Sequence, residues 1–302
     1  MLIDPAASLA ELVLSIARGA AGCPQLELGE FALVSVAAAL AITWPRFRPL
    51  VSLASAGVLI AVLFIPGELP DSGVIVLDVG QGDTILIHGG DRRFALVDGV
   101  PDPGILRERL RHYGVESLEL VVLSHVHADH ATGLIELMGH LPVGEVWASV
   151  DPHETEASAR FFQAVALAGV PFSQPQAGET REIGQLRLRV EGPLRRYASP
   201  NDQLLVLTVN GRSRSMLLTG DIETFAQADL DYVRADVLKV PHQGGATSDA
   251  GWLRNVGAGL AVISVGPNQF GHLADWVIEV LEEFGADVAR TDEDGDVMIP
   301  LP

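Results

Sequence analysis

The chain has 302 residues and a formal net charge of −19, and a surface of that sign repels polyanions at long range. This charge argues against a protein that coats DNA by surface electrostatics, because such proteins are basic. The one cysteine, Cys23, excludes an intrachain disulfide and a cysteine-rich structural zinc site.

Two apolar runs lie near the N-terminus, at residues 31–44 and 49–65, and neither contains a charged side chain. A membrane-spanning helix needs about 20 residues, with about 17 as the lower limit. Arg46 and Arg48 lie between the runs, and the nearest outer charges, Glu30 and Glu68, are acidic. This pattern predicts a membrane-inserted helical hairpin with a cytoplasmic tip, which places the rest of the chain on the outer face. The alternative is a soluble two-helix hairpin packed on the following domain.

Residues 66–73 have the Pro and Gly content of a linker. We therefore divide the chain into residues 1–73, the apolar hairpin, and residues 74–302, a folded domain.

Short strands rich in Val, Ile and Leu follow, and we predict them at 74–79, 84–88, 94–98, 119–123, 145–148, 186–191, 203–210, 213–218, 235–240, 260–264, 288–291 and 296–299. We predict helices at 103–113, 132–140, 154–168, 222–230, 248–255 and 274–284. Two sheets sandwiched between helices, an α+β fold, use such elements.

A cluster of metal-ligand side chains follows the predicted strand 119–123, in the string Leu123-Ser-His-Val-His-Ala-Asp-His130. His125 and His127, two residues apart on an extended segment, point the same way and can share one metal ion. Asp129 and His130 come at the turn and can reach a second ion. Imidazole and carboxylate ligands suit zinc, manganese or iron. The string therefore predicts a metal-binding loop.

Two later strand ends offer further ligands for such a site. Leu217-Leu-Thr-Gly-Asp221 ends an apolar strand on a carboxylate, and Leu238-Lys-Val-Pro-His242 ends another on an imidazole. Each string alone is weak evidence for a metal site, since a Gly-Asp turn is often only a helix cap. Their order after the histidine cluster makes them specific.

These motifs together resemble the metallo-β-lactamase superfamily, whose motifs run Asp, His-x-His-x-Asp-His, a variable ligand, Asp and His. The matching positions are Asp98, His125, His127, Asp129, His130, Asp221 and His242. More narrowly, residues 74–302 are similar to the C-terminal domain of ComEC-type DNA-uptake channel proteins. The strings that carry this similarity are Leu77-Asp-Val-Gly-Gln-Gly-Asp83, Leu238-Lys-Val-Pro-His242, Ile263-Ser-Val-Gly266, Gly271-His272 and Arg290-Thr-Asp-Glu-Asp-Gly295. The N-terminal hairpin is similar to the last membrane helices of that channel, so we expect a tail fragment or a split-gene product.

The resemblance implies an αββα sandwich with one or two divalent ions, zinc or manganese, at one edge. It assigns His125 and His127 to one ion, Asp129, His130 and His242 to the other, Asp221 to a bridge between them, and Asp98 to orienting a ligand. It makes Asp129 and Asp221 the catalytic residues.

Two positions depart from the family pattern. ComEC relatives usually have His-His-Gly-Ser where this chain has His242-Gln-Gly-Gly245. The variable ligand falls near Asn201, whose amide is a poorer ligand than an imidazole, so manganese is as plausible as zinc at the first position.

Three further residues are candidates for contact with substrate. Asp83 follows Gly80-Gln-Gly82, which is either a tight glycine turn or a substrate-facing loop. Lys239 lies at a strand end, where it either touches a phosphate or has a structural or solvated role. His272 follows Gly271 in a loop and is a candidate to line the cleft.

The function that the resemblance implies is metal-dependent hydrolysis of phosphodiester bonds. In this family the proposed task is degradation of the DNA strand that does not enter the cell. We therefore expect DNA as substrate, the cell membrane as location, an extracytoplasmic hydrolase domain, and the rest of a channel on another chain. Two alternatives remain: a catalytically degenerate structural or gating domain of a DNA channel, and a metallo-hydrolase of a small ester, thioester or lactam.

Overall fold

The computed structural model describes residues 69–149, 155–269 and 271–302, and for Ala128 and Asp129 it describes the backbone alone. These residues contain two seven-stranded sheets with helices on both outer faces. The predicted α+β sandwich is therefore confirmed. The predicted N-terminal hairpin lies outside the described residues and stays a prediction, as does the domain boundary at residue 73. No helix within the described ranges has the length and apolar character needed to cross a membrane.

The first sheet has the strand order β14-β1-β2-β3-β4-β5-β6. Its strands are β1 (Gly73–Val76), β2 (Ile85–His88), β3 (Phe94–Val97), β4 (Leu120–Leu123), β5 (Val146–Ala148), β6 (Phe172–Ser173) and β14 (Val297–Pro300). The strands β3 to β6 are mutually parallel, while β14, β1, β2 and β3 pair in antiparallel fashion. The carboxyl ends of β3 to β6 therefore share one edge of the sheet.

The second sheet has the strand order β13-β12-β11-β10-β9-β8-β7. Its strands are β7 (Thr180–Ile183), β8 (Leu186–Gly192), β9 (Val206–Asn210), β10 (Ser215–Leu218), β11 (Val237–Lys239), β12 (Leu260–Ile263) and β13 (Asp287–Arg290). Here β10 to β13 are parallel, while β7 to β10 alternate in direction. The end of β8 and the start of β9 therefore lie at the same edge as the carboxyl ends of β10 and β11.

Helices cover the outer faces of the two sheets. They are α1 (Pro103–His112), α2 (Ala128–Leu137), α3 (Glu156–Ala168), α4 (Thr224–Asp229), α5 (Ala250–Val256), α6 (Asp275–Glu283) and α7 (Thr291–Asp294), with a 3₁₀ turn at Pro241–Gly244. Apolar residues of α1, α2 and α3 pack on the first sheet, and those of α4, α5 and α6 pack on the second.

Alternating side chains along the strands divide the core into three layers. In β1, Ile75 packs towards the helices of its own sheet, whereas Val74 and Val76 pack between the two sheets. A strand buried on both faces needs apolar residues at every position, which explains the continuous runs in β1 and β4. Each fully buried Val, Leu or Ile contributes about 1.5–3 kcal/mol by leaving water.

The structure differs from the predicted elements in two respects. The strands β6 and β7 were not predicted, because exposed positions interrupt their apolar pattern. The helix predicted at 132–140 begins four residues earlier, at Ala128, so Asp129 and His130 lie in its first turn and not in a loop. We call the edge formed by the carboxyl ends of β3, β4, β10 and β11 the site edge.

Candidate metal centre

The histidine cluster lies where β4 passes into α2, at the site edge. His125 and His127 face each other, with His125 Nε2 at 2.9 Å from His127 Nδ1. His130, on the first turn of α2, has its ring centroid 4.2 Å from that of His125, with the two rings tilted by 51°. His125 and His130 are buried, and His127 is partly exposed. The order strand, short loop, helix thus collects three imidazoles at one point.

Asp221 brings a carboxylate from the second sheet into the middle of these imidazoles. Its Oδ2 lies 3.5 Å from His130 Nε2 and 3.8 Å from His125 Nε2. Ligand atoms of His125, His130 and Asp221 all lie within 4.8 Å of one another. Gly220, with φ of 49°, makes the turn after β10 that points Asp221 at the cluster.

His242 completes the group from the neighbouring parallel strand, β11. Its Nε2 lies 3.9 Å from Asp221 Oδ2, and its backbone N–H donates to the carbonyl of Gly220 at 3.0 Å. His242 has a φ of 49°, a left-handed conformation that costs a non-glycine residue on the order of 1–3 kcal/mol. The bond to Gly220 and the preceding Pro241 keep the imidazole directed at the site despite that cost.

Asp98 lies behind the cluster and orients His130. It follows β3 with a φ of 59°, and its Oδ2 lies 3.0 Å from His130 Nδ1. The same carboxylate accepts hydrogen bonds from the backbone N–H and the hydroxyl of Ser124, at 2.7 and 2.6 Å. A carboxylate on Nδ1 directs Nε2 of the ring towards the centre of the cluster, the arrangement found behind metal-bound histidines.

The charges and pKa shifts of the site favour a cation at its centre. Burial and the neighbouring His130 hold the pKa of His125 well below its usual range, so this imidazole is neutral and ready to act as a ligand. Burial raises the pKa of Asp221, but His130, His125 and His242 outweigh it and bring the pKa below its usual value. Burial also opposes the charged form of His130, yet Asp98 and Asp221 raise its pKa well above normal. Two buried carboxylates thus attract positive charge to this point.

A divalent metal ion fits these residues. Asp221 Oδ1 is buried and has no hydrogen-bond partner among the described residues, and such an atom is costly unless a ligand satisfies it. The facing nitrogens of His125 and His127 are close enough to bind one ion at the usual Zn–N distance of about 2.0–2.1 Å. The side chain of Asp129 lies outside the described part of the structure, so its assignment stays a prediction.

The predicted variable ligand, Asn201, contacts a neighbouring carboxylate. Its amide donates to Glu223 Oε1 at 3.3 Å, and the same Glu223 oxygen lies 3.8 Å from His242 Nδ1. The adjacent Asp202 is buried and accepts bonds from the backbone N–H groups of Glu223 and Ala226. Asp202 therefore stabilises the start of α4, and Glu223 with Asn201 forms the polar wall beside His242.

Asp83 and Lys239 form a buried ion pair between the two sheets. Lys239 Nζ donates to Asp83 Oδ2 at 2.8 Å and to the carbonyl of Val240 at 3.0 Å, and both side chains are at most 1% exposed. Of the two roles that the sequence left open for each residue, this burial favours the structural one over contact with substrate. Both have a structural role, since the pair ties the loop after β1 to the strand that leads to His242.

His272 lies beside the centre, as part of a polar network. Its ring centroid is 4.9 Å from that of His242, and its Nδ1 lies 3.3 Å from Gln81 Nε2. Gln81 also donates to Gln243 Oε1. Burial and the nearby His242 lower the pKa of His272. Gln243 therefore links the loop after β1 to the loop that carries His272.

Sequence reasoning missed three residues of this site: Ser124, Glu223 and Gln81. Ser124 lies inside the histidine string, and Glu223 follows Asp221 by two positions, so their places next to predicted ligands were a usable signal. Gln81 lies between the two glycines of a loop that the sequence marks, but its partner is more than 150 positions away, so the sequence does not indicate its contact.

Comparisons with known proteins agree with this geometry. The sequence model described as the metallo-beta-lactamase superfamily matches residues 77–264. No curated protein sequence gives a significant match.

Among solved structures, the fold is similar to the metallo-beta-lactamase fold protein YhfI from Bacillus subtilis, at 14% identity and a TM-score of 0.54, covering 76% of this chain and 100% of that one. It is also similar to CmlA, a diiron beta-hydroxylase from Streptomyces venezuelae, at 14% identity and a TM-score of 0.53, covering 78% of this chain and 55% of that one. Zn²⁺-bound PqqB from Methylobacterium extorquens matches at 14% identity and a TM-score of 0.49, covering 76% of this chain and 100% of that one. At these identities the likeness shows the fold alone.

Proposed function

The chain belongs to the metallo-β-lactamase superfamily, and on that premise we propose that it is a metal-dependent hydrolase of phosphodiester bonds that acts on DNA. The observation that carries the proposal is the buried carboxylate of Asp221, which lies within 4 Å of His125, His130 and His242 and has one unpartnered oxygen among the described residues. Imidazoles gathered around a buried carboxylate form a site suited to hold divalent ions.

Each residue of the site has a distinct task in this proposal. His125 and His127 would hold one ion, and His130, His242 and Asp129 the other, with Asp221 between them. Bound divalent ions lower the pKa of a coordinated water from 15.7 to about 7 and stabilise the attacking and leaving oxygens of a phosphodiester. Asp98 fixes the ring of His130 through Nδ1, and Glu223 lies where it can orient His242.

DNA is proposed as the substrate because the strings of residues 77–83, 238–242 and 290–295 resemble ComEC-type channel proteins. In that role the domain would degrade the strand that stays outside the cell. The membrane hairpin, the extracytoplasmic location and a channel on another chain are parts of the same proposal.

The test is a metal analysis and a nuclease assay of the purified full chain. Zinc, manganese and iron are measured, iron because the structurally similar CmlA is a diiron enzyme. End-labelled single-stranded and duplex DNA are then incubated with the protein and each metal. We expect bound metal and metal-dependent cleavage, and loss of both in His127→Ala. As a matched control, His140→Ala removes an exposed imidazole at the end of α2 and leaves both unchanged.

The possible results separate the alternatives. Tightly bound metal without cleavage of DNA under any divalent ion contradicts the proposal and favours a small-molecule substrate. Less than one tightly bound ion per chain favours a structural or gating domain, with Gln243 and Asn201 as marks of a degenerate site.

A further inference from the structure

A cleft of about 490 Å³ lies at the site edge, beside the metal centre. Among the described residues its lining includes Arg195, Arg196, three glutamines and a serine, and no carboxylate. The chain has a net charge of −19. A cleft whose described lining has cations and amides but no acid therefore differs in charge from the protein as a whole.

The topology places this cleft next to the metal centre. Ser149 follows β5, Gln174 follows β6, Arg196 follows β8 and Leu205 precedes β9, and all these strand ends lie at the site edge. The backbone N–H of Leu205 donates at 3.0 Å to the carbonyl of Ser124, which directly precedes His125. The cleft is thus offset by one or two strand spacings, about 5–10 Å, from the strands that carry the metal ligands.

The two arginines differ in what they offer to a ligand. Arg195 Nε lies 2.5 Å from Asp229 Oδ2, and its guanidinium lies 4.5 Å above the ring of Tyr197, so its charge is compensated and its position fixed. Arg196 is exposed and has no ion-pair partner among the described residues. Its guanidinium is therefore available to an anion from outside.

The chemistry of the lining suits a phosphodiester chain. Guanidinium groups bind phosphate with two parallel charge-assisted hydrogen bonds. Side-chain amides such as those of Gln174 and Gln203 donate to phosphate oxygens and to bases alike. A cationic groove that follows the backbone is the usual way to hold single-stranded nucleic acid without sequence preference.

We propose that this cleft, with Arg196 as the cation that has no ion-pair partner among the described residues, binds the backbone of a nucleic-acid strand on one side of the phosphodiester that reaches the metal centre. The proposal rests on the proposed function and adds a subsite to it. The subsite lets an acidic protein hold a polyanion, because the attraction is local to the cleft while the rest of the surface repels.

The experiment measures binding and turnover separately in the full chain. Binding of a short fluorescein-labelled oligothymidylate is followed by fluorescence anisotropy in EDTA, over a range of salt concentrations. Turnover with metal is compared between the same oligonucleotide and bis(p-nitrophenyl) phosphate, which is too short to reach the cleft.

We expect Arg196→Ala to weaken oligonucleotide binding by about tenfold, as for loss of one charge-assisted hydrogen bond. The slope of log affinity against log salt should fall by about 0.7, as for one contact to a single-stranded phosphate. KM for the oligonucleotide should rise, while turnover of the small diester is unchanged. Gln174→Glu, an isosteric change that adds a negative charge to the wall, should act in the same direction.

The control is Arg212→Ala. Arg212 is exposed in the turn between β9 and β10, at the opposite edge of the sandwich, so its removal changes the net charge equally.

Equal weakening by both arginine variants, or no weakening by Arg196→Ala, overturns the subsite. Wild-type protein that binds the oligonucleotide but cleaves neither substrate overturns the proposed function alone, and the anisotropy of the variants still decides the subsite. Wild-type protein that fails to bind at low salt overturns the subsite directly.

Discussion

Two buried carboxylates, Asp221 and Asp83, come from different sheets, and their pKa values shift in opposite directions although burial raises both. Each has one oxygen without a hydrogen-bond partner among the described residues. Asp221 is surrounded by His125, His130 and His242, and its pKa is lowered. Asp83 pairs with Lys239, and His130 also lowers its pKa, but burial and the nearby charge of Asp221 outweigh both and raise it.

The difference lies in how many donors surround each carboxylate. Removing a carboxylate from water disfavours its charge, and only a sufficient number of positive or polarisable neighbours reverses the effect. The region around Asp221 has enough such neighbours, which suits a group that must stay ionised to bind metal. The region around Asp83 does not, which suits a structural link between two sheets.

The largest expected effect comes from changing Asp221 itself. Asp221→Asn keeps the shape of the side chain and removes its charge, so metal content should drop and activity should fall by about 10⁴-fold, the scale seen when one member of a catalytic group is removed. Elemental analysis and a cleavage assay measure the two effects. Asp287→Asn, which changes an exposed aspartate at the start of β13, should leave both as in the wild type, and a similar loss there would show that net charge is the cause.

The second effect is on stability and comes from Lys239. Lys239→Met leaves Asp83 buried without its partner, and breaking a buried ion pair in this way costs about 3–5 kcal/mol. The midpoint of denaturant unfolding should fall accordingly. The double variant Asp83→Leu with Lys239→Met should recover much of the loss, since an apolar pair needs no hydrogen bonds. If the double variant is as unstable as the single one, the charge of Asp83 is not the reason.

A smaller effect is expected from Asp98, which touches the ligand and not the metal. Asp98→Asn should lower metal affinity by about 10–100-fold, the range for groups that orient a ligand. Competition with a chelator measures the affinity. Asp202→Asn serves as a control, because Asp202 is equally buried but caps α4. An unchanged affinity in Asp98→Asn would mean that Asp221 and the helix alone orient His130.

The smallest effect is a pH dependence of stability that sets Asp83 apart from Asp221. Because the folded-state pKa of Asp83 is raised, its contribution is fully present below the unfolded pKa of about 3.9 and is lost as pH rises through the folded value. Relative to Asp83→Asn, the wild type should lose about 1.4 kcal/mol for each pH unit between the two values. Urea unfolding at several pH values above 4 measures this slope, and a parallel pH profile in the variant would assign the effect to other groups.

The histidine string shows how far local sequence can lead. His125, His127 and His130 could be predicted as one cluster, since a strand followed directly by ligand side chains places them together. The start of α2 at Ala128 could not, because the apolar pattern of that helix begins only after the polar ligands. The same limit applies to β7, whose alternating exposed residues look like a loop.

The role of Lys239 shows the opposite case. Its place at a strand end allowed either a phosphate contact or a structural contact, and only the packing of the second sheet against the loop after β1 decides between them. Arg196 is similar, since nothing in its local sequence indicates that the ends of β5, β6 and β8 and the start of β9 form a cleft around it whose described lining has no carboxylate.

By itself the sequence determined the α+β sandwich, the ligand types and the order in which the chain delivers them, because strand periodicity and ligand spacing are local properties. Only the tertiary structure decided that Asp221 lies among three imidazoles, that Asp98 lies behind His130, and that Asp83 pairs with Lys239. Those contacts join positions far apart in the chain, and they depend on how two sheets align at one edge. Hence the candidate metal ligands can be identified from short strings, while the charge that each of them carries is set by the packing around it.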